Sequence, residues 1–352
     1  VNEPLRSDPP GYATAWLARI RRERARRRWR VLAALLACLL AGVVLTLMLG
    51  QSLTPLVTVL RVLGGADVPE AEFIVRELRL PRAVISALSG ICFGLGGVAF
   101  QTMLRNPLAS PDIIGISTGA SAAAVFAIVV LSLSGPAVSI VAVVAGLGVA
   151  LAIYALSWRE GVTGARLVLV GIGLAAMLQS FTAYLLTRAP SWSLQEALRW
   201  MTGSVNGVQL EQALPLLVAL LLFGGLLLSR SRDLETLRMG DDIAAGLGVR
   251  LTATRVIVIV AAVGLVAFAT AVAGPVAFVA FLSGPIAARL TSRNGSLLIP
   301  SALVGALLVL LGDYAGQFLL PARYPVGIVT GVLGAPYLVY LIIRDNKSGG
   351  AL

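Results

Sequence analysis

The sequence predicts an all-α membrane protein that crosses the bilayer about ten times. Of its 352 residues, 58% are hydrophobic and only 13% are charged, about half the charged share of an ordinary soluble chain. Apolar runs recur along it that reach or approach the ~20 residues a helix needs to cross the hydrocarbon. Its positive charge, +11 overall, is carried by arginines between those runs, a pattern of membrane orientation rather than of nucleic-acid binding.

Residues 1–30 are polar and end in RRERARRRWR (Arg21–Arg30). This reads as a basic cytoplasmic segment that holds the first span against anionic headgroups. The apolar run at 31–50 is too long for a signal-peptide core, and no small-x-small cleavage site follows it, so it is read as the first span. A longer external segment follows, Gln51–Pro81. Its LTPLVTVLRVLG portion has the pattern of an amphipathic helix on the outer surface. Further spans are predicted at 82–104, 113–133, 136–157, 166–187, 212–229, 253–273, 276–290, 298–319 and 327–343. Gly274 and Pro275 make the turn between the seventh and eighth. Residues 31–344 thus form one transmembrane domain, and 345–352 a cytoplasmic tail.

Charge sets the orientation. With the N-terminus inside, the cytoplasmic segments hold the first arginine cluster, Arg105, Arg159, Arg166, Arg230, Arg232, Arg238, Arg250, Arg255, Arg289, Arg293, Arg344 and Lys347. The external segments hold Arg61, Arg76, Arg79, Arg82, Arg188, Arg199 and Arg323. That bias, roughly threefold, places both termini in the cytoplasm.

The same orientation puts the charged, glycine-punctuated stretch 230–255 in the cytoplasm. Inside it, Met239–Val249 (MGDDIAAGLGV) reads as a very short helix. Gly240 and Asp241 can cap its start, and Asp241 and Asp242 place negative charge at the positive end of the dipole. Ile243, Ala244, Ala245 and Leu247 give it an apolar face, and Gly246 or Gly248 can end it. About two turns are not stable alone in water. The element is either an ordinary turn or a docking element for a partner protein.

What the chain lacks narrows its function. It has no histidine, and Asp313 is the one acid predicted inside a span. Ion-coupled transporters and proton pumps rely on such groups. Lys347 is the only lysine and has no glycine-rich approach, which excludes a phosphate-binding loop of the usual kind. Cys38 and Cys92 both fall in spans, where they fill volume. No paired carboxylates, nucleophile elbow or metal-ligand cluster stands out. A polytopic chain with so small an internal polar inventory reads as one subunit of a machine powered elsewhere.

Several stretches resemble the FecCD-type permeases, the membrane subunits of ABC importers for iron–siderophores, haem and cobalamin. They are RLPRAVISALSGICFGLGGVAFQTMLRNPLASPDIIGISTGA (Arg79–Ala120), RWMTGS (Arg199–Ser204), MGDDIAAGLGV, AGPVAFVAFLSGPIAARL (Ala273–Leu290) and the run Pro325–Arg344. The resemblance covers roughly residues 31–344, with these separated stretches in order. The resemblance implies a type II importer architecture in the bacterial plasma (inner) membrane. A second permease subunit, the same or homologous, would pair with this one on two ABC ATPase subunits. An extracytoplasmic substrate-binding protein would deliver the cargo. No cofactor is expected on this chain; ATP and Mg would be bound by the ATPase.

Residue roles follow from the same resemblance. Met239, Gly240, Asp241, Asp242, Ile243, Ala244, Ala245, Gly246, Leu247 and Gly248 would form the ATPase contact. Arg79 and Arg82 would meet acidic residues of the binding protein, guanidinium forks suiting carboxylates. Gln317 stands where the family has a further arginine, the glutamate usual before the Pro-Val/Ile-Gly motif is absent from PARYPVG, and Arg323 would substitute for the missing charge. Asn106 and Leu108 of the NPLA motif would narrow the inner exit, with Thr163, Gly164 and Ala165 forming a neighbouring constriction. Gln179, Ser180 and Thr182 could wet the pathway, or bond their own helix backbone. Ser283-Gly284-Pro285, where many members read VPH, tilts the cargo toward a ferric siderophore. Haem or cobalamin remains the alternative within the family, and an ion-coupled secondary transporter the alternative outside it.

Overall fold

The computed structural model describes residues 12–66, 68–110, 115–157, 164–292 and 295–347, and they are helical throughout their ordered elements. In chain order these are α1 (Tyr12–Met48), α2 (Leu56–Leu63), α3 (Pro69–Leu104), α4 (Ile116–Val129), α5 (Pro136–Ser157), α6 (Gly164–Arg188) and α7 (Ser191–Met201). Then come α8 (Leu210–Ser229), α9 (Ser231–Leu237), α10 (Asp241–Gly246), α11 (Leu251–Ala273), α12 (Val279–Leu290), α13 (Leu298–Leu319) and α14 (Val326–Lys347). Among the described residues seven helices are long and apolar enough to cross a membrane: α3, α5, α6, α8, α11, α13 and the part of α1 from Ala18. Three shorter apolar helices, Ile116–Val129, Val279–Leu290 and Val326–Leu341, fall on the other three predicted spans.

Helix α3 is the axis of the bundle and packs most extensively on α13, with α11 and α12 on its other sides. Small residues make that possible. A Cβ on Gly90 would overlap the carbonyl oxygen of Gly305, one on Gly305 the carbonyl of Gly90, and one on Gly97 the carbonyl of Ala280. In a bilayer, where lipid is as apolar as leucine, such backbone contact is a main source of helix association. Around this seam lies the core, with Phe93, Phe100, Val266 and Leu265 buried.

Other helices are apolar on their outer sides as well. Ile140, Val144 and Leu151 of α5, Leu169 and Met177 of α6, and Leu214 and Leu221 of α8 are all exposed. In a membrane protein such surfaces face lipid or another subunit.

The predicted amphipathic helix is α2, whose Val59 and Val62 are buried against Leu47 of α1 and Val75 of α3. The bases of α1 and α3 are locked by Arg79. Its Nη1 donates to the carbonyls of Leu47 (2.8 Å) and Met48 (2.9 Å), and its Nη2 to the carbonyl of Ser52 (2.7 Å). The last carbonyls of a helix have no partner of their own, and here a buried guanidinium from α3 supplies one.

One crossing is not helical all the way. Helix α11 has 23 residues and α12 has 12, rises of about 34 and 18 Å at 1.5 Å per residue. The connecting segment 274–278 is non-helical, with Gly274 at φ 68° and Phe278 at φ 64° bounding it and a turn at Ala277 and Phe278. Non-helical backbone at membrane depth is tolerated where protein or a cavity surrounds it. Here Gly203 packs on the Pro275 carbonyl, Ser204 N–H donates to the Ala273 carbonyl (2.7 Å), and Gly327 N–H to the Gly203 carbonyl (3.0 Å). Three stretches far apart in sequence, 199–204, 273–275 and 325–327, are thereby joined backbone to backbone.

Candidate functional site

A cavity of about 600 Å³ opens between α4, α6, α12 and the segment 274–278. Its polar lining is Ser110, Ser117, Thr118, Ser121, Gln179 and Thr182. Pro275, Phe278 and Phe281 supply apolar wall from the segment 274–278 and α12. No charged side chain is among the described lining. The hydroxyls are largely spent: Ser121 donates to the Ser117 carbonyl (2.8 Å) and Thr182 to the Leu178 carbonyl (2.8 Å). A wall of this kind can be wetted but has little to grip a solute with.

Of the predicted pathway residues, Gln179 and Thr182 face this cavity, whereas Ser180 is exposed and bonds the Ala176 carbonyl (3.0 Å). Ser117, Ser121 and the segment 275–278 were not singled out in sequence. The i, i+4 spacing of the two serines puts them on one helix face, which was the available signal. The segment 274–278 had none beyond Gly274-Pro275.

At the end of the bundle that carries the 230–255 stretch, α10 stands out from the surface. Met239, Ile243 and Leu247 are exposed at 64, 52 and 67%, while Ala244 is fully buried. Ile243 and Leu247, one turn apart, make an apolar ridge on α10, and Met239 lies just before its N-cap. Gly240 is the N-cap with φ 116°, and Gly248 at φ 88° ends the helix as Val249 N–H reaches the Ala244 carbonyl (3.0 Å), a left-handed glycine stop. Gly246 is inside the helix, and a Cβ there would meet nothing within 4 Å. Asp242 and Ala245 are exposed. Asp241 instead turns back on the bundle, paired with Arg255 (2.7 Å) and more loosely with Arg105 (3.5 Å). The preceding helix α9 was not expected; its buried Leu234 and Leu237 anchor the stretch to the core.

The predicted constriction lies partly at the same end. Asn106 is exposed in the turn after α3 and its Oδ1 accepts from Leu108 N–H (2.8 Å), with Leu108 half-buried. Gly164 and Ala165 open α6, and Thr163 lies outside the described residues.

At the opposite end, the two arginines expected to meet a partner are engaged within the chain. Arg79 is 8% exposed and capped onto α1 as described. Arg82 grips Asp313 of α13 through both Nε and Nη2 (the latter 2.7 Å), with Asp313 nearly fully buried. A carboxylate inside the hydrocarbon needs such a partner, so this pair accounts for Asp313 as well. Neither guanidinium is free in this conformation for an external carboxylate. Arg323 is exposed, and beside it Gln317 Nε2 donates to the Tyr324 carbonyl (3.4 Å).

Residues 38–344 match the FecCD transport family. The ferric enterobactin transport system permease protein FepG of Escherichia coli (strain K12) is 37% identical over 286 residues, covering 80% of this chain and 86% of that protein. The achromobactin transport system permease protein CbrC of Dickeya dadantii (strain 3937) is 39% identical over 321 residues, 90% of this chain and 92% of that one. Among solved structures, one assigned to the metal-chelate type of ABC transporter, in an inward-facing conformation, superposes with a TM-score of 0.79. It is 26% identical and covers 90% of this chain and 99% of its own.

Proposed function

The chain belongs to the FecCD transport family, and from that premise we propose that it is the permease subunit of an ATP-driven importer for a ferric siderophore. It works in the bacterial plasma membrane with both termini in the cytoplasm. A second permease, the same or homologous, completes the path, and two ABC ATPases bind at the cytoplasmic end, carrying the ATP and Mg. A substrate-binding protein delivers the chelate at the outer end. Relatives 37 and 39% identical are permeases for ferric enterobactin and achromobactin, which supports that cargo class.

The observation that carries this reading is the exposed ridge Ile243 and Leu247, with Met239 just before it, on a helix pinned from behind by Asp241 and Arg255. An apolar ridge held out from a bundle marks a surface for a partner to cover. The ATPase closing on ATP would push that ridge, and α9, α10 and the start of α11 would carry the push into the bundle. Asn106 and Leu108, one turn beyond α3, then open or close the exit together with the loop at 163–165. The uncharged cavity suits transit without tight binding, because capture is the binding protein's task.

Outer docking centres on exposed Arg323 with its neighbours on that rim. Arg79 and Arg82 contribute there by fixing the ends of α1, α3 and α13 that form the rim. The test is uptake of radiolabelled ferric siderophore into vesicles holding the chain, its ATPase and its binding protein. Uptake that needs ATP and stops with an ATPase-dead partner is the expected result. Uptake that survives the dead ATPase but collapses with a protonophore would overturn it.

A further inference from the structure

A second cleft, about 290 Å³, lies at the same end as α10 and is separate from the main cavity. Three arginines line it: Arg105 at the end of α3, Arg238 just after α9 and Arg289 in the last turn of α12. Its floor carries Gln101, Thr102 and Gly284, and the described lining includes no carboxylate. Asp241 sits 3.5 Å from Arg105 but is held more closely by Arg255 at 2.7 Å. Arg289 is aimed by stacking on Tyr337 and Tyr340 (5.5 and 5.2 Å to the ring centres). Arg238 is exposed.

Three like charges drawn from three segments to the edge of one cleft raise the local positive potential, which favours an anion there. Guanidinium groups are planar forks that bond oxyanions two contacts at a time. A group with several charged oxygens can serve three forks at once, which a single carboxylate cannot. The volume is several times the roughly 30 Å³ that one water occupies in the liquid.

We infer that this cleft binds a phosphate group, presented either by an acidic phospholipid headgroup or by a soluble phosphate. Both sources offer the same chemistry to the three arginines. The site joins two moving parts of the proposed machine, since Arg105 adjoins Asn106 and Arg238 adjoins Met239. An occupant ties the exit turn to the ATPase ridge, so the inference goes beyond the transport reading and holds whichever chelate is carried.

The test uses the full chain in phosphatidylcholine nanodiscs. Retention of added phosphatidylglycerol is read by native mass spectrometry, and binding of inorganic phosphate by titration calorimetry in a phosphate-free buffer. Wild type and Arg61→Gln, a change at the other end of the bundle, should bind one or both probes. Arg238→Gln/Arg289→Gln should lose at least tenfold in affinity. Phosphatidylglycerol binding alone assigns the headgroup, and inorganic phosphate binding alone assigns the soluble ligand. Should the double variant fail to fold, the exposed single change Arg238→Gln is read instead, with a severalfold loss expected. Wild type that binds neither probe, or variants that bind as wild type does, would overturn the site.

Discussion

Gln101 and Pro285 complement each other across the contact of α3 and α12. Proline has no N–H, so Pro285 leaves the carbonyl four residues back, that of Phe281, without its helical donor. Gln101 Nε2 reaches over from α3 and donates to that carbonyl at 2.9 Å, buried. Gly284 is part of the arrangement, because a Cβ there would overlap Gln101 Oε1. Replacing Gln101 by Leu should therefore cost about 1–3 kcal/mol through the unsatisfied carbonyl. In a Pro285→Ala background, where the backbone can make its own bond, the same change should cost much less. Heat stability of the four proteins in detergent, followed by gel filtration, checks the cycle.

The buried pair Arg82–Asp313 makes a second cycle. Asp313→Asn leaves a guanidinium without its counter-charge in the bundle and should destabilise by about 3–5 kcal/mol. The double change Arg82→Leu/Asp313→Leu should recover most of that loss. If the docking protein used Arg82 directly, the double variant would be folded yet unable to bind it. Folding and docking measured on one sample separate the two roles.

The ridge on α10 should be dispensable for folding and required for coupling. Ile243→Glu and Leu247→Glu change exposed side chains, so the protein should insert normally. Co-purification of the ATPase should fall by at least tenfold. Gly246→Trp is a sharper probe, since the site has open space around it in the isolated chain. It should abolish uptake while yield stays unchanged; full uptake would move the contact elsewhere in the stretch.

The cavity makes a contrast between two neighbours on α6. Thr182 already spends its hydroxyl on its own helix, so Thr182→Val should leave uptake within about twofold, an effect below ~0.5 kcal/mol. Ala183 lines the same cavity with a small side chain, so Ala183→Phe should block uptake while ATPase binding persists. Transport assays on the two variants, normalised to complex recovered, distinguish a pathway from a packing defect.

The ten crossings were legible because each is an apolar run bounded by charge or glycine, and α10 because its glycines and acids mark both ends. What sequence could not give is where an arginine points. Arg79 and Arg82 carry the same charge whether they face a partner or turn inward. Only the fold shows that the end of α1 and the carboxylate of Asp313 lie within their reach. Helix α9 escaped notice because its seven residues are charged at the surface and apolar at just two anchoring positions, Leu234 and Leu237. The short α12 and its non-helical lead-in read as one span, since hydropathy does not distinguish helix from irregular backbone in a uniformly apolar run.

The glycine seam between α3 and α13 bears on what this molecule can do when it works. Two helices separated by a layer of long side chains can slide by letting those side chains change rotamer. Here carbonyls meet glycine Cα atoms at Gly90 and Gly305, and no soft layer lies between them to shear. The pair behaves as a fixed ruler through any cycle. Access must be switched by parts outside that pair, α6, α7 and the segment 274–278 among them, moving while the shaft stays still.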